Sequence, residues 1–201
     1  MITETRLHWM QRRLNDRAGA PPAWWDYIRK HEIELADVLP HCGNTLVLDL
    51  CKAIETIDGQ YVFDLDDDGV ACVVVEGLRV ENINGLNEYV CRDLIAWPLD
   101  APDHWATAMG PGRGISLLGP TAAFRMPSDK TPIRLHRNPE TWLLSGCLGS
   151  VILKPEAESW LSKSDVAMIC EDAEHARSVK HLLGNKGRAR EFFIPEHRTA
   201  A

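Results

Sequence analysis

The chain has 201 residues, 45% hydrophobic and 25% charged, with a formal net charge of −7. That is enough for one sizeable core or two small subdomains sharing one, and the composition is that of a globular chain rather than a disordered or fibrous one. No apolar run approaches the roughly 18 residues that a membrane-spanning helix needs, and the N-terminus lacks the apolar core of a signal peptide, so a cytoplasmic location is expected.

Leu7, Met10 and Leu14 recur on one helical face, which predicts a first helix over residues 3–17. Ala18 to Pro22 break it. A second helix is expected from Pro22 to about Leu39, stopped by Pro40 and Gly43. The adjacent Trp24 and Trp25 cannot both face inward from one helix, so one of them marks a candidate contact surface. The run from Thr45 to Glu55 begins like a strand and ends like a helix, and periodicity leaves it open.

Two β-rich runs follow, Tyr61–Leu65 and Val70–Val75, joined by Asp66-Asp67-Asp68-Gly69. Asp-Gly between such runs predicts a hairpin, because a tight turn needs positive φ. A third run, Glu88–Trp97, is reached through an Asn-rich loop, and the three predict an antiparallel meander. Pro98 ends it. Ala101–Met109 reads as a short helix, and Gly110 to Gly114 as a turn.

The last third alternates: strand Pro132–His136, a helix capped by Asn138, strand Val151–Leu153, helix Pro155–Ser162, strand Val166–Cys170, helix Asp172–Leu183 and a strand near Glu191–Ile194. Such alternation implies a small, mainly parallel sheet. The expected fold class is therefore α/β (α+β): a helical pair and an antiparallel meander packed on a small parallel sheet in a single domain. Residues 1–110 and 111–201 are its possible subdomains.

Charge is uneven. Residues 41–110 hold thirteen acidic residues against three basic ones, whereas Arg177, Lys180, Lys186, Arg188 and Arg190 form a basic stretch without an acid. Asymmetry of this kind can mark a partner surface or a nucleic-acid footprint, and equally two solvated faces. The six cysteines are widely spaced with no C-x-x-C pair, as for reduced thiols packed as small hydrophobes.

Four constellations could carry chemistry. Asp64, Asp66, Asp68 and Gly69 match the opening of a calcium-binding helix–loop–helix loop, but the closing bidentate acid is missing where it is needed, since Glu76 comes one residue late. Gly110 to Gly114 offers backbone donors and Arg113, without the Gly-Lys-Ser/Thr ending of a phosphate loop. Arg134, His136 and Arg137 stand at the end of a parallel strand beside a helix N-terminus, the place where such sheets bind anions. Glu171, Asp172 and His175 stand at the same edge and are the ingredients of a Mg²⁺ or Mn²⁺ site. A helix cap explains the same charges: Asp172 caps, Glu171 and Glu174 favour the positive end, and Arg177, Lys180 and His181 favour the negative end.

Two blocks carry a resemblance: Cys72-Val-Val-Val-Glu76 with Asp93-Leu-Ile-Ala-Trp97-Pro, and Pro132-Ile-Arg through Trp142-Leu-Leu-Ser-Gly-Cys147 to Glu171-Asp-Ala-Glu-His-Ala176. Across about residues 60–183 the chain resembles an uncharacterised family of small bacterial proteins found in phage-like gene neighbourhoods. That family has no assigned activity, so the resemblance implies no site residues. Val75-Glu76-Gly77 and Glu171-Asp172 also echo the Toprim domains of primases and topoisomerases, without their Asp-x-Asp. The leading functional expectation is a non-enzymatic accessory protein acting through a protein partner, needing no cofactor. The alternative is a divalent-metal phosphoesterase, with metal on Glu171, Asp172 and His175 and phosphate on Arg134 and Arg137.

Overall fold

A computed structural model describes residues 2–16, 22–42, 45–55, 61–110, 112–119, 131–161, 166–184 and 191–195. The fold is α/β, with an N-terminal helical layer, a mainly antiparallel barrel and a mainly parallel sheet. The helices are α1 (Ile2–Asp16), α2 (Pro22–Lys30) and α3 (Leu35–Cys42). The strands β1 (Leu46–Glu55), β2 (Tyr61–Leu65), β3 (Val70–Ile83), β4 (Leu86–Pro98) and β5 (Ala106–Thr107) close into a barrel in the order β1-β2-β5-β4-β3.

The second sheet takes β6 (Leu117–Leu118), β7 (Ile133–His136), β8 (Ser150–Ile152), β9 (Met168–Ile169) and β10 (Phe192–Phe193), in the order β10-β9-β7-β8-β6. Its pairs are parallel except for the edge pair β6–β8. Helices α4 (Pro139–Leu144), α5 (Glu158–Leu161, entered through a 3-10 turn at Pro155–Ala157) and α6 (Ala173–Leu182) connect these strands.

Period-two alternation builds two cores from the same strands. Cys72 and Val74 of β3 and Leu94 and Ala96 of β4 face one cluster, with Phe63, Leu65 and the α1 residues Leu7, Met10 and Leu14. Val73, Val75, Ile95 and Trp97 face the other, with Trp24 and Tyr27 of α2, Val38 and Cys42 of α3, Trp142 of the helix after β7, and Leu118 and Val151 of the second sheet. These strands are therefore buried on both faces, which is why they read as continuous apolar runs. Burying each such side chain stabilises the fold by about 1.5–3 kcal/mol. A third cluster joins Leu135, Met168 and Val179 under α6.

The expected single helix from Pro22 to about Leu39 is two helices. The chain turns between them with Glu32 at φ 52°, and Ile33 N–H donates to Ile28 O (3.0 Å). Neither proline nor glycine announces this break. Pro40 lies inside α3 rather than ending it.

The expected three-strand meander is corrected. Of its two hairpins only β3–β4 exists, closed by Asn84 and Gly85, both at positive φ as a two-residue turn requires. Strand β2 pairs with β1 and β5 instead. The open Thr45–Glu55 run is strand almost throughout, and Cys51 lies opposite both Leu65 of β2 and Val70 of β3. Gly69 is absent from the positive-φ glycines. A Cβ there would lie 2.4 Å from Cys51 O, so close passage over β1, rather than turn geometry, calls for glycine. The expected helix over Ala101–Met109 is a turn leading into β5.

Candidate functional site

Parallel strands β7 and β9 are neighbours, so their C-terminal ends open on one edge of the second sheet. There β7 delivers His136, Arg137 and Asn138, and β9 delivers Glu171 and Asp172. Asn138 caps α4 by accepting from Thr141 N–H (2.8 Å). Asp172 caps α6 by accepting from the backbone N–H groups of Glu174 and His175 (both 2.9 Å). Each cap satisfies amides that the first helical turn leaves without intrahelical partners.

The supposed anion-binding and metal-binding groups bind each other. Arg137 Nη2 donates to both Asp172 carboxylate oxygens (2.6 and 2.5 Å) and lies 3.5 Å from Glu174 Oε2. Its Nε is 3.6 Å from Glu171 Oε2, and its backbone N–H donates to Glu171 Oε1 (3.3 Å). The guanidinium thus fills the cationic place among three carboxylates that a divalent metal would need. Hydrogen bonds from the His175 backbone N–H and from Arg137 hold the Asp172 carboxyl below the usual range.

His175 is buried, which lowers its pKa, and its Nδ1 accepts from Glu171 N–H (3.4 Å). Arg134 is exposed and stands outside these pairs among the described residues. No group of three or more His, Cys, Asp or Glu side chains suited to a metal occurs among the described residues.

Sequence reasoning missed a Ser-His-Glu line at this edge. Ser145 Oγ lies 3.3 Å from His136 Nε2, and His136 Nδ1 lies 3.4 Å from Glu171 Oε1. It is not wired as a nucleophile. His136 Nε2 is 2.7 Å from Leu148 O, a partner to which it can only donate, and Ser145 Oγ donates to Trp142 O (2.7 Å). A general base must instead offer an acceptor nitrogen to the hydroxyl. Ser145 is the C-cap residue of α4, and these contacts close the turn that follows.

Three acids of the calcium-like segment are likewise paired with bases. Arg6 meets Asp64 (3.3 Å), Arg13 meets Asp67 (2.8 Å) and Lys52 meets Asp66 (4.0 Å). Trp24 is buried and stacked on Tyr27, whereas Trp25 is 48% exposed. Arg177 and Lys180 are exposed on α6; Lys186, Arg188 and Arg190 lie outside the described residues.

A second missed constellation joins the barrel to the second sheet. Asp93 of β4 and Lys154, just after β8, are both buried and 3.3 Å apart. Lys154 Nζ also donates to Gly110 O (2.8 Å) and Arg113 O (2.7 Å), and Asp93 accepts from Met109 N–H (3.0 Å) and Leu94 N–H (3.0 Å). Burial raises the Asp93 carboxyl to about 6, against the lowering pull of Lys154. The glycine-rich segment is thus a lining for this pair: its carbonyls face a cation, and a Cβ on Gly114 would lie 2.1 Å from Asp93 Oδ2. An acid directly before the apolar run Leu94–Trp97 was the available signal; its partner, 61 residues away, left none.

Above this pair a cavity of about 700 Å³ opens between barrel and sheet. Tyr61, Asp103, His104, Trp105 and Thr107 line it on one side, and Leu153 and Pro155 on the other. Asp103 Oδ1 accepts from Asn138 Nδ2 (2.6 Å), tying its rim to the α4 cap.

Comparison with known proteins finds no matching family model, no matching curated protein and no matching solved structure. No described helix is long and apolar enough to cross a membrane.

Proposed function

We propose that this chain is a non-enzymatic binding protein that acts through a protein partner, whose strand adds to the β3–β4 hairpin. The observation that supports this reading is the outer half of that hairpin. Beyond Gly77 the two strands pair with each other from Leu78↔Cys91 to Ile83↔Leu86, and no third strand joins them among the described residues. A two-stranded ribbon carries backbone donors and acceptors along both outer edges, a template for strand addition.

Its side chains suit a partner as well. Leu86 is 66% and Tyr89 61% exposed, with Ile83 and Val80 near them. Ile83 and Leu86 stand opposite each other on one face of the ribbon, Val80 and Tyr89 on the other, and a Glu81–Arg92 pair stiffens it. The absence of a wired nucleophile among the described residues and the use of Arg137 to neutralise the carboxylates favour binding over hydrolysis. All six cysteines are free thiols, which suits a reducing compartment such as the cytoplasm.

The test is affinity capture from the native host with the parent chain and with a Leu86→Asp/Tyr89→Ser variant. A defined protein retained by the parent and lost by the folded variant is expected. Equal capture by both, or capture of nothing above background by the parent, overturns the reading.

A further inference from the structure

We infer that the cavity between barrel and second sheet is a recognition pocket for a guanidinium group, delivered as an arginine side chain on a peptide segment of the partner. The inference rests on the protein-partner reading for the source of the arginine, and on the cavity for its chemistry. Tyr61 and Trp105 both line the cavity, and Tyr61 is 52% exposed, so an aromatic surface is available to a ligand. Ala53, Pro98, Leu153 and Pro155 complete an apolar wall. A guanidinium stacks on aromatic faces and is more weakly hydrated than an ammonium, so it enters such a site at lower desolvation cost.

The charges around the cavity select a cation. Asp103 contributes a carboxylate to the wall, and its Oδ1 is already oriented by Asn138 Nδ2 at 2.6 Å. Each carboxylate oxygen has more than one acceptor position, so the group can still take a forked guanidinium. Glu55 stands opposite Tyr61 in the β1–β2 register, and exposed Asp100 lies three residues before Asp103. Lys154, the cation in the lining, is turned inward to Asp93, Gly110 O and Arg113 O. An anionic ligand would therefore meet carboxylates at the rim. A neutral apolar ligand would leave Asp103 without a role in binding.

The inference is tested by titrating the intact chain with acetyl-Gly-Arg-Gly-amide and following the Trp105 indole N–H by NMR, assigned through Trp105→Phe. The citrulline peptide, which keeps the shape and loses the charge, is the control. The expected result is a saturable Trp105 shift with the arginine peptide, binding at least about tenfold weaker with citrulline, and a loss of about tenfold in Asp103→Asn and Tyr61→Ala. Asn at 103 keeps an acceptor for Asn138, so the α4 cap survives and the fold is checked by its unchanged melting temperature.

No Trp105 shift at millimolar arginine peptide, equal binding of citrulline, or undiminished binding to Asp103→Asn each overturns the inference. The two proposals fail separately. A partner captured through the ribbon by a chain whose pocket ignores arginine removes only the pocket. Arginine binding without ribbon-dependent capture removes the partner reading and leaves a guanidinium site.

Discussion

The molecule holds two arrangements of opposite charge, and they do different work because they sit in different dielectrics. Asp93 and Lys154 are both nearly inaccessible; the carbonyls of Gly110 and Arg113 hold Lys154, and the backbone N–H groups of Leu94 and Met109 hold Asp93. Arg137 and its three carboxylates lie at an open sheet edge, with Asp172 half-exposed and Glu174 more so. Water screens the second set, so its pairs contribute little individually. In the first set each charge depends on the other, since an isolated charge in an apolar seam is far costlier than a pair. The buried pair is thus a seam between barrel and sheet. The exposed set fixes where α6 begins.

The largest effect that would sharpen this contrast comes from removing one member of the buried pair. Lys154→Met is expected to destabilise the chain by about 3–5 kcal/mol, because Asp93 is then buried without its cation. Adding Asp93→Asn should recover part of the loss. Urea unfolding of the three chains decides it. A single variant as stable as the parent, or a double variant less stable than the single, would break the seam argument.

A smaller effect is expected with pH. The folded carboxyl of Asp93 titrates near 6, above the ordinary unfolded value of about 3.9. A raised pKa means that protonation favours the folded state. The stability contributed by Asp93 is therefore full below about pH 4 and declines as pH rises through about 6. His175, lowered by burial, runs the other way in part of this window, losing stability as pH falls. The readout is accordingly the difference between parent and Asp93→Asn, measured from about pH 4 to pH 7 by denaturant unfolding. A difference that does not change with pH would show that Asp93 is not the titrating group.

The smallest effects belong to the exposed edge. Asp172→Ala removes both the α6 cap and the Arg137 pair, while Asp172→Asn removes only the charge, because Asn also caps well. The Ala variant should melt below the Asn variant, and both well above Lys154→Met. Since the folded Asp172 pKa is lowered, its contribution is present above the unfolded value and is lost as pH falls through the folded one. Mn²⁺ should move none of these melting curves. A parent whose melting temperature rises with Mn²⁺ would restore the metal reading of this edge.

The sequence by itself determined the elements whose causes are local. Asn138 and Asp172 cap helices because a short polar side chain reaches amides two or three residues ahead, so α4 and α6 were legible from a few positions. The alternation of strands and helices after residue 131 likewise implied parallel pairing, and the C-terminal sheet follows it. The β-rich runs Val70–Val75 and Glu88–Trp97 were likewise legible as strands.

Only the tertiary structure decided the rest. Gly69 reads as a turn glycine from its neighbours, yet its need comes from the backbone of Cys51 pressing from another strand. The pairing of β2 with β1 and β5 instead of β3 follows from barrel closure, which no run of residues encodes alone. Arg137 looked like an anion ligand, and Glu171 and Asp172 like metal ligands, because sequence shows charges without their distances. Placed 2.5 to 3.6 Å apart, they neutralise one another. The partner of Asp93 and the walls of the aromatic cavity are brought together from positions tens of residues apart, and long-range proximity is the one quantity that spacing along the chain does not carry.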